Sequence, residues 1–285
     1  MIAIARLTIG EAARRKILWV LVVLAVLAVS LVGWGVSRLV DAAHQSGTPE
    51  VQIRLVVSQI LIFIAFQFGF VQAMTAAFLG SPAIASDLES GIALALLARP
   101  IRRSSYLLGR WLGLAIVLVA YGGGSALLAI TVVGAVSGYT PPSILAPVAF
   151  LAAEGLVILT LTLLLSTRLP PIGGGAIAVV AFGLAWMAGT IERVGIAIAA
   201  RNPEVNLQVV GDIGRILLPV DGLWRGVIYG LEPPVVIAAA AGQPLAEANP
   251  FFAVAPPPLA FLAWVVVWTA LVLSLAAVSL NRREP

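Results

Sequence analysis

Few side chains in this sequence are equipped for covalent chemistry, and their placing removes most of it. Cysteine is absent, which takes away thiol nucleophiles, thiolate metal sites and disulfides together. His44 is the sole histidine, set between Asp41 and Glu50. With no second ligand, no nucleophile to activate and no helix or strand expected around it, it reads as a solvated residue of an outer hairpin. Lys16 is the only lysine among 17 basic residues, and G-x-x-x-x-G-K-[ST] does not occur. The chain therefore carries no phosphate-cradling loop of its own.

What remains is charge in costly places. Glu154 interrupts an apolar run, where a carboxylate marks either a pathway residue or a group kept protonated or paired by a neighbouring helix. The polar island 81–113, SPAIASDLESGIALALLARPIRRSSYLLGRWLG, holds most of the rest. Ser81-Pro82 fits an N-cap followed by proline at the first helical position, and Asp87 and Glu89 fall where a helix dipole favours carboxylates. Gly91 interrupts that helix, the apolar run 92–98 follows, and Arg99-Pro100 stops any helix ahead of Arg102, Arg103 and Arg110. Asp87 and Glu89 suit helix capping and docking equally, whereas the arginines read as topology determinants and lipid-headgroup contacts. An acidic helix, a stop and a basic collar between two membrane-length segments make a cytoplasmic elbow rather than a catalytic pocket.

These residues must be held by lipid-embedded helices. Of 285 residues, 61% are hydrophobic and 11% charged, with a mean hydropathy of +1.06. That is the profile of an all-α, polytopic membrane protein. Residues 2–16 predict an amphipathic helix along the inner membrane surface. Six apolar runs, at about 17–36, 55–79, 107–136, 144–165, 172–191 and 259–280, can each cross a hydrocarbon core of about 30 Å as a helix. The first run exceeds a signal-peptide core and no A-x-A site follows it, so it reads as a retained span. Glycines at 109, 113, 122–124, 134 and 138 give the third span small surfaces that another helix can approach closely. The tight turn 166–171 joins the fourth and fifth spans. Residues 192–258 form a long outer segment. Within it, 209–231 combines Asp212, Arg215, Asp221 and Arg225 with Trp224 and Tyr229. It predicts one or two interfacial helices kinked at Pro219, and its four charges argue against a seventh span. In this reading residues 1–285 are one transmembrane domain.

Orientation follows from the basic residues. With the N-terminus cytoplasmic, those of 1–16, 99–110, 168 and 282–283 lie inside, against Arg38, Arg54, Arg193, Arg201, Arg215 and Arg225 outside. Both termini are therefore expected to be cytoplasmic. The arginines flank apolar runs, so the net charge of +4 reflects topology and not nucleic-acid binding.

From the second span through SDLESGIALALLARPIRRSSYLLGR into the third, the chain resembles the membrane subunit of ABC transporters of the type-2 exporter permease family. Glu89, Gly91, Leu96, Leu97, Arg99, Pro100, Ile101, Arg102, Gly109 and Arg110 carry the match. The departures are Ser90-Gly91-Ile92 where Glu-x-Gly-Thr is usual, and Arg103-Ser104 with the serine displaced. LLLSTRLPPIGGGAIAVVAFGLAWMAG and LLPVDGLWRGVIYGLEPP are similar to the six-span branch that pairs with a separate ATPase. The resemblance implies that residues 81–98 form a coupling helix in a groove of a cytoplasmic ABC ATPase. Asp87, Glu89, Gly91, Arg99, Pro100, Arg102 and Arg103 then become ATPase-coupling residues, with Ser166 and Arg168 as a second, smaller cytoplasmic contact. It also implies an ATPase dimer that carries the ATP and magnesium, and no cofactor or catalysis on this chain. The further partners are a second permease copy, identical or a sister chain, membrane lipid and an extracytoplasmic protein at the outer segment. The setting is a bacterial or archaeal plasma (inner) membrane. Two other readings stay open at this point. One is a proton-coupled secondary transporter using Glu154, weakened by the lack of an inverted repeat; the other is a membrane-embedded enzyme or scaffold.

Overall fold

The computed structural model of the chain describes residues 1–89, 102–199, 202, 204, 206–240, 242–243 and 248–282, apart from the side chain of Leu88. Gly91, Leu96, Leu97, Arg99, Pro100 and Ile101, with the topology markers Arg201 and Arg283, lie outside the described residues. Among the described residues there is no strand, and eleven helices follow one another. They are α1 (Ile2–Arg14), α2 (Lys16–Gln45), α3 (Glu50–Gly80), α4 (Pro82–Glu89), α5 (Arg103–Ser137) and α6 (Leu145–Ser166), then α7 (Pro171–Ala199), α8 (Gln208–Leu217), α9 (Val220–Leu231), α10 (Pro234–Ala240) and α11 (Leu259–Asn281).

Six are long and apolar enough to cross a membrane: α2, α3 with the start of α4, α5, α6, α7 and α11. Alternating direction gives the bundle a near end, with Lys16, Gly80, Arg103, Ser166, Pro171 and Asn281, and a far end, with Gln45, Glu50, Ser137, Leu145, Ala199 and Leu259. The apolar runs of the sequence lie at the cores of these helices, which continue into charged sequence. At 1.5 Å per residue, α2, α3 and α5 measure about 45–52 Å against a core of about 30 Å, so their ends stand clear of it. Two expectations change as a result. His44 is not on an unscaffolded loop but in the last turn of α2, with Nε2 3.7 Å from Glu50 Oε2. Likewise α7 does not end at 191 but runs to Ala199, because Glu192 and Arg193 find opposite charges inside the protein.

The centre of the bundle is α6, which packs against α3, α5, α7, α9 and α11. Its sequence, LAPVAFLAAEGLVILTLTLLLS, is apolar on every side, as a helix enclosed by other helices must be. Helices α2 and α11 keep outward aliphatic faces, with Leu24, Leu27 and Leu31 on one and Leu271 and Leu275 on the other exposed. Helix α1 buries Ala5, Thr8 and Ala12 against α5. A Cβ placed on Gly109 or Gly113 of α5 would stand 2.7 Å from Ile4 Cβ or 2.6 Å from Thr8 Cβ, so these glycines let the two backbones meet. Arg15, with ψ near 116°, then breaks the helix and turns the chain into α2.

The interval 209–231 forms two helices separated at Leu218-Pro219, as the sequence indicates, but only α8 keeps an exposed face, with Val209, Ile213, Ile216 and Leu217 outward. Helix α9 sinks into the bundle between α3, α6 and α7. All of it is buried except Arg225 and Tyr229, which are half-buried. Its twelve residues span about 18 Å, too little to cross. Gly226 and Gly230 explain the close fit: a Cβ on either would stand 2.6 Å from the Phe150 ring or 2.7 Å from Pro147 of α6. Trp224 does not face outward either. It is buried among Phe66 and Phe251, with ring centroids at 5.4 and 6.2 Å, and its Nε1 donates to Pro250 O at 3.2 Å.

Candidate functional site

At the near end, one guanidinium joins three helices. Asp87 of α4 accepts hydrogen bonds from Tyr106 Oη and Arg110 Nη2 of α5. Arg110 Nη1 reaches Glu11 Oε2 of α1 at 2.6 Å, and Glu11 Oε1 takes Arg15 Nη2 at 3.1 Å. Burial pushes the Glu11 carboxyl up, but the hydrogen bonds and positive charge of Arg110 and Arg15 more than offset it, and its pKa lies below the ordinary carboxylate value. Asp87 lies beyond the first turn of α4, where the helix dipole does little for it, and its counter-charge is Arg110 instead. Ser81 is not an N-cap. Its backbone is helical, φ −61° and ψ −46°, so α3 runs on into α4, and its hydroxyl donates to Pro171 O at the start of α7.

The remaining collar residues divide into internal ties and exposed charges. Arg103 Nη1 donates to Leu280 O and Asn281 O at 3.1 and 3.2 Å. Arg168 donates from Nε to Ser279 Oγ at 2.8 Å and from Nη2 to Ser279 O at 3.2 Å. Both thus serve the C-terminal carbonyls of α11, which have no helical partner and favour a cation. Ser166 is fully buried, with its hydroxyl turned back to Leu163 O at 2.8 Å, so its side chain presents no surface. Glu89, Arg102 and Arg168 are exposed.

Glu154, in the middle of α6, is only 4% exposed, and its Oε2 has no hydrogen-bond partner. A Cβ on Gly69 of α3 would stand 3.2 Å from that oxygen. One turn further along α3, Gln72 is also buried, with both amide atoms unpartnered, wedged against Gly122 of α5 and Gly155 of α6. The carboxyl is thus enclosed by helices within this chain.

At the far end, six charges on three helices neutralise one another. Arg193 of α7 and Asp221 of α9 form an ion pair, at 2% and 1% exposure. Arg193 also donates to Pro250 O at 2.7 Å and to Gly189 O at 3.2 Å. Arg215 of α8 holds Glu192 at 2.5 and 3.0 Å and Asp212 at 2.7 Å. Arg225 holds Asp221 at 3.0 Å and Glu192 at 2.7 Å. The sequence reading placed four of these residues at a membrane interface and left Glu192 and Arg193 in a loop. Two signals pointed to the network: the pairs Asp212/Arg215 and Asp221/Arg225 at helical spacing, and adjacent opposite charges closing an apolar run.

Glu232, at the end of α9, is fully buried. It accepts from Gln59 Nε2 at 3.1 Å and from Ala253 N at 3.4 Å. Burial pushes its carboxyl up to about 7, against the two donors, from an ordinary 4.5. Folding then retains a proton that the unfolded chain has released. Stability from this group is therefore full below pH 4.5, falls as pH rises to about 7, and is flat above, a loss of about 3 kcal/mol. Thermal unfolding in detergent from pH 4.5 to 8 should show that decline, and Glu232→Gln should remove it. An unchanged slope in the variant would assign the decline to another group.

Two helices lead toward each other at the near end, six spans stand between the ends, and a short helix is buried at the far end. A family model described as "ABC-2 family transporter protein" matches residues 2–284 of this chain. Among curated proteins there is no significant match. With nearly its whole length inside that family and six helices long and apolar enough to cross a membrane, the chain belongs to the ABC-2 transporter family and is a multi-pass permease subunit of an ABC transporter.

Proposed function

We propose that this permease is the membrane half of an exporter, with its near end and both termini in the cytoplasm and an ABC ATPase dimer docked there. The observation that carries this reading is the joining of the two contact elements. Ser81 ties the α3–α4 elbow to Pro171, just past the α6–α7 turn, and α4 packs on both α6 and α7. Arg110 ties the same elbow to α1 and α5. A push on α4 is therefore delivered to four other helices at once, as a rigid-body switch requires. Glu89, Arg102 and Arg168 supply exposed charge for the ATPase groove, while ATP and magnesium stay on that partner. A second permease copy, identical or a sister chain, completes the pathway, and closure of the ATPase dimer around ATP biases the pair between inward and outward states.

Co-purification from the native membrane tests this. The tagged chain should bring down an ABC ATPase in stoichiometric amount. The double variant Glu89→Lys/Arg102→Glu should cut that recovery about tenfold, through charge reversal at a rim, while membrane insertion is kept. Full recovery with the variant would overturn the docking assignment. A wild-type chain that purifies with no ATPase would overturn the cytoplasmic docking of the near end.

A further inference from the structure

The far-end charge network borders a cavity of about 450 Å³, the size of a small-molecule site. Its walls have two characters. Arg215, Arg225 and Asp212 present polar edges, and Phe252, Phe261 and the prolines at 256–258 face them with apolar surface. The carboxylates do not use up the guanidinium groups. Among the described residues, Arg225 Nη1 and Arg215 Nε donate no hydrogen bond to the chain. Arg193, by contrast, spends all three nitrogens on Gly189, Pro250 and Asp221, so the outer arginines are steadied by a buried foundation. Three arginines face Glu192, Asp212 and Asp221, so the network is formally neutral. An arriving anion meets no excess negative charge and finds one uncommitted nitrogen on each of two guanidinium groups, Arg225 Nη1 and Arg215 Nε, to donate to a phosphate.

The outward face of α8 points to the class of ligand. Helix α8, which forms one wall, turns Val209, Ile213 and Ile216 outward. A helix with such a face lies at the boundary of headgroups and acyl chains. A cavity walled by such a helix would open at the level of phospholipid phosphates. We infer that the cavity binds one membrane phospholipid, its phosphate on Arg215 and Arg225 and its glycerol and first acyl carbons on Phe252 and Phe261. Asp212, exposed at the rim, accepts from a headgroup hydroxyl or ammonium. The site does not rest on the docking of an ATPase.

Native mass spectrometry of the full chain in detergent, titrated with dioleoylphosphatidylglycerol, tests the site. One saturable adduct is expected, with dioleoylglycerol, which lacks the phosphate, giving none and inorganic phosphate failing to displace it. Arg225→Gln should weaken the adduct about tenfold, the loss of one charge-assisted contact. Ala255→Trp, which fills the cavity from its exposed wall without touching the network, should do the same at unchanged thermal stability. Wild-type saturation in both variants would overturn the site. Displacement by millimolar phosphate would assign it to a soluble anion and overturn the lipid.

Discussion

Asp221→Asn is expected to be among the most destabilising single changes in this protein, costing about 3–5 kcal/mol in reversible unfolding. The substitution keeps the shape of the side chain and removes the charge. Arg193 is 2% exposed and, among the described residues, has no other carboxylate in hydrogen-bond contact, so it would be left as an uncompensated cation inside the bundle. Arg225 would lose one of its two acids and keep Glu192 at 2.7 Å. The control is the double change Arg193→Met/Asp221→Leu, which removes both members of the buried pair and should recover more than half of the loss, since an apolar pair of similar volume carries no desolvation cost. A cost below about 1 kcal/mol for Asp221→Asn would mean that Asp221 is not the counter-charge of Arg193.

Glu154→Met is expected to act in the opposite direction, raising stability by about 1–3 kcal/mol while lowering transport by the assembled complex. The residue is volume-matched, and the change deletes an enclosed oxygen that no group satisfies. Keeping such a group in the centre of a bundle costs free energy in every molecule, and a helix contact shaped only for packing has no use for it. A variant that is both stabilised and fully active would leave Glu154 without a transport role. A destabilised variant would show that the carboxyl has a partner, against the geometry of the α3–α6 contact. Unfolding in detergent and flux in proteoliposomes, measured on the same preparations, separate the outcomes.

How much was legible in the sequence depends on how far apart the interacting residues are. The spans were legible because each is a local run whose apolar length alone meets the bilayer's requirement. The third span's glycines at 109 and 113 were legible as a contact surface, although nothing local named α1 as the helix that fills it. Arg110 read as a topology marker because its partner Glu11 lies 99 residues earlier. Asp221 read as a surface charge because Arg193 is 28 residues away on another helix. In both cases a charge read alone seeks water, a default that fails when a counter-charge is delivered by the fold. Ser81 failed for a different reason: Ser-Pro is a good helix start, but here the preceding helix runs through it and the hydroxyl serves α7.

The buried position of α9 constrains how the protein is made. A twelve-residue helix carrying Asp221 and Arg225 is too short and too polar to enter the bilayer by its own hydrophobicity, so it can take its place only after α3, α6 and α7 stand ready to receive it. Phe261, near the start of α11, packs over Gly222 of α9, so the slot is closed by a helix synthesised later. The order of assembly therefore departs from the order of translation: insertion of the last crossing helix and seating of α9 become one late, cooperative step, and a nascent chain that has not reached residue 259 holds an incomplete bundle.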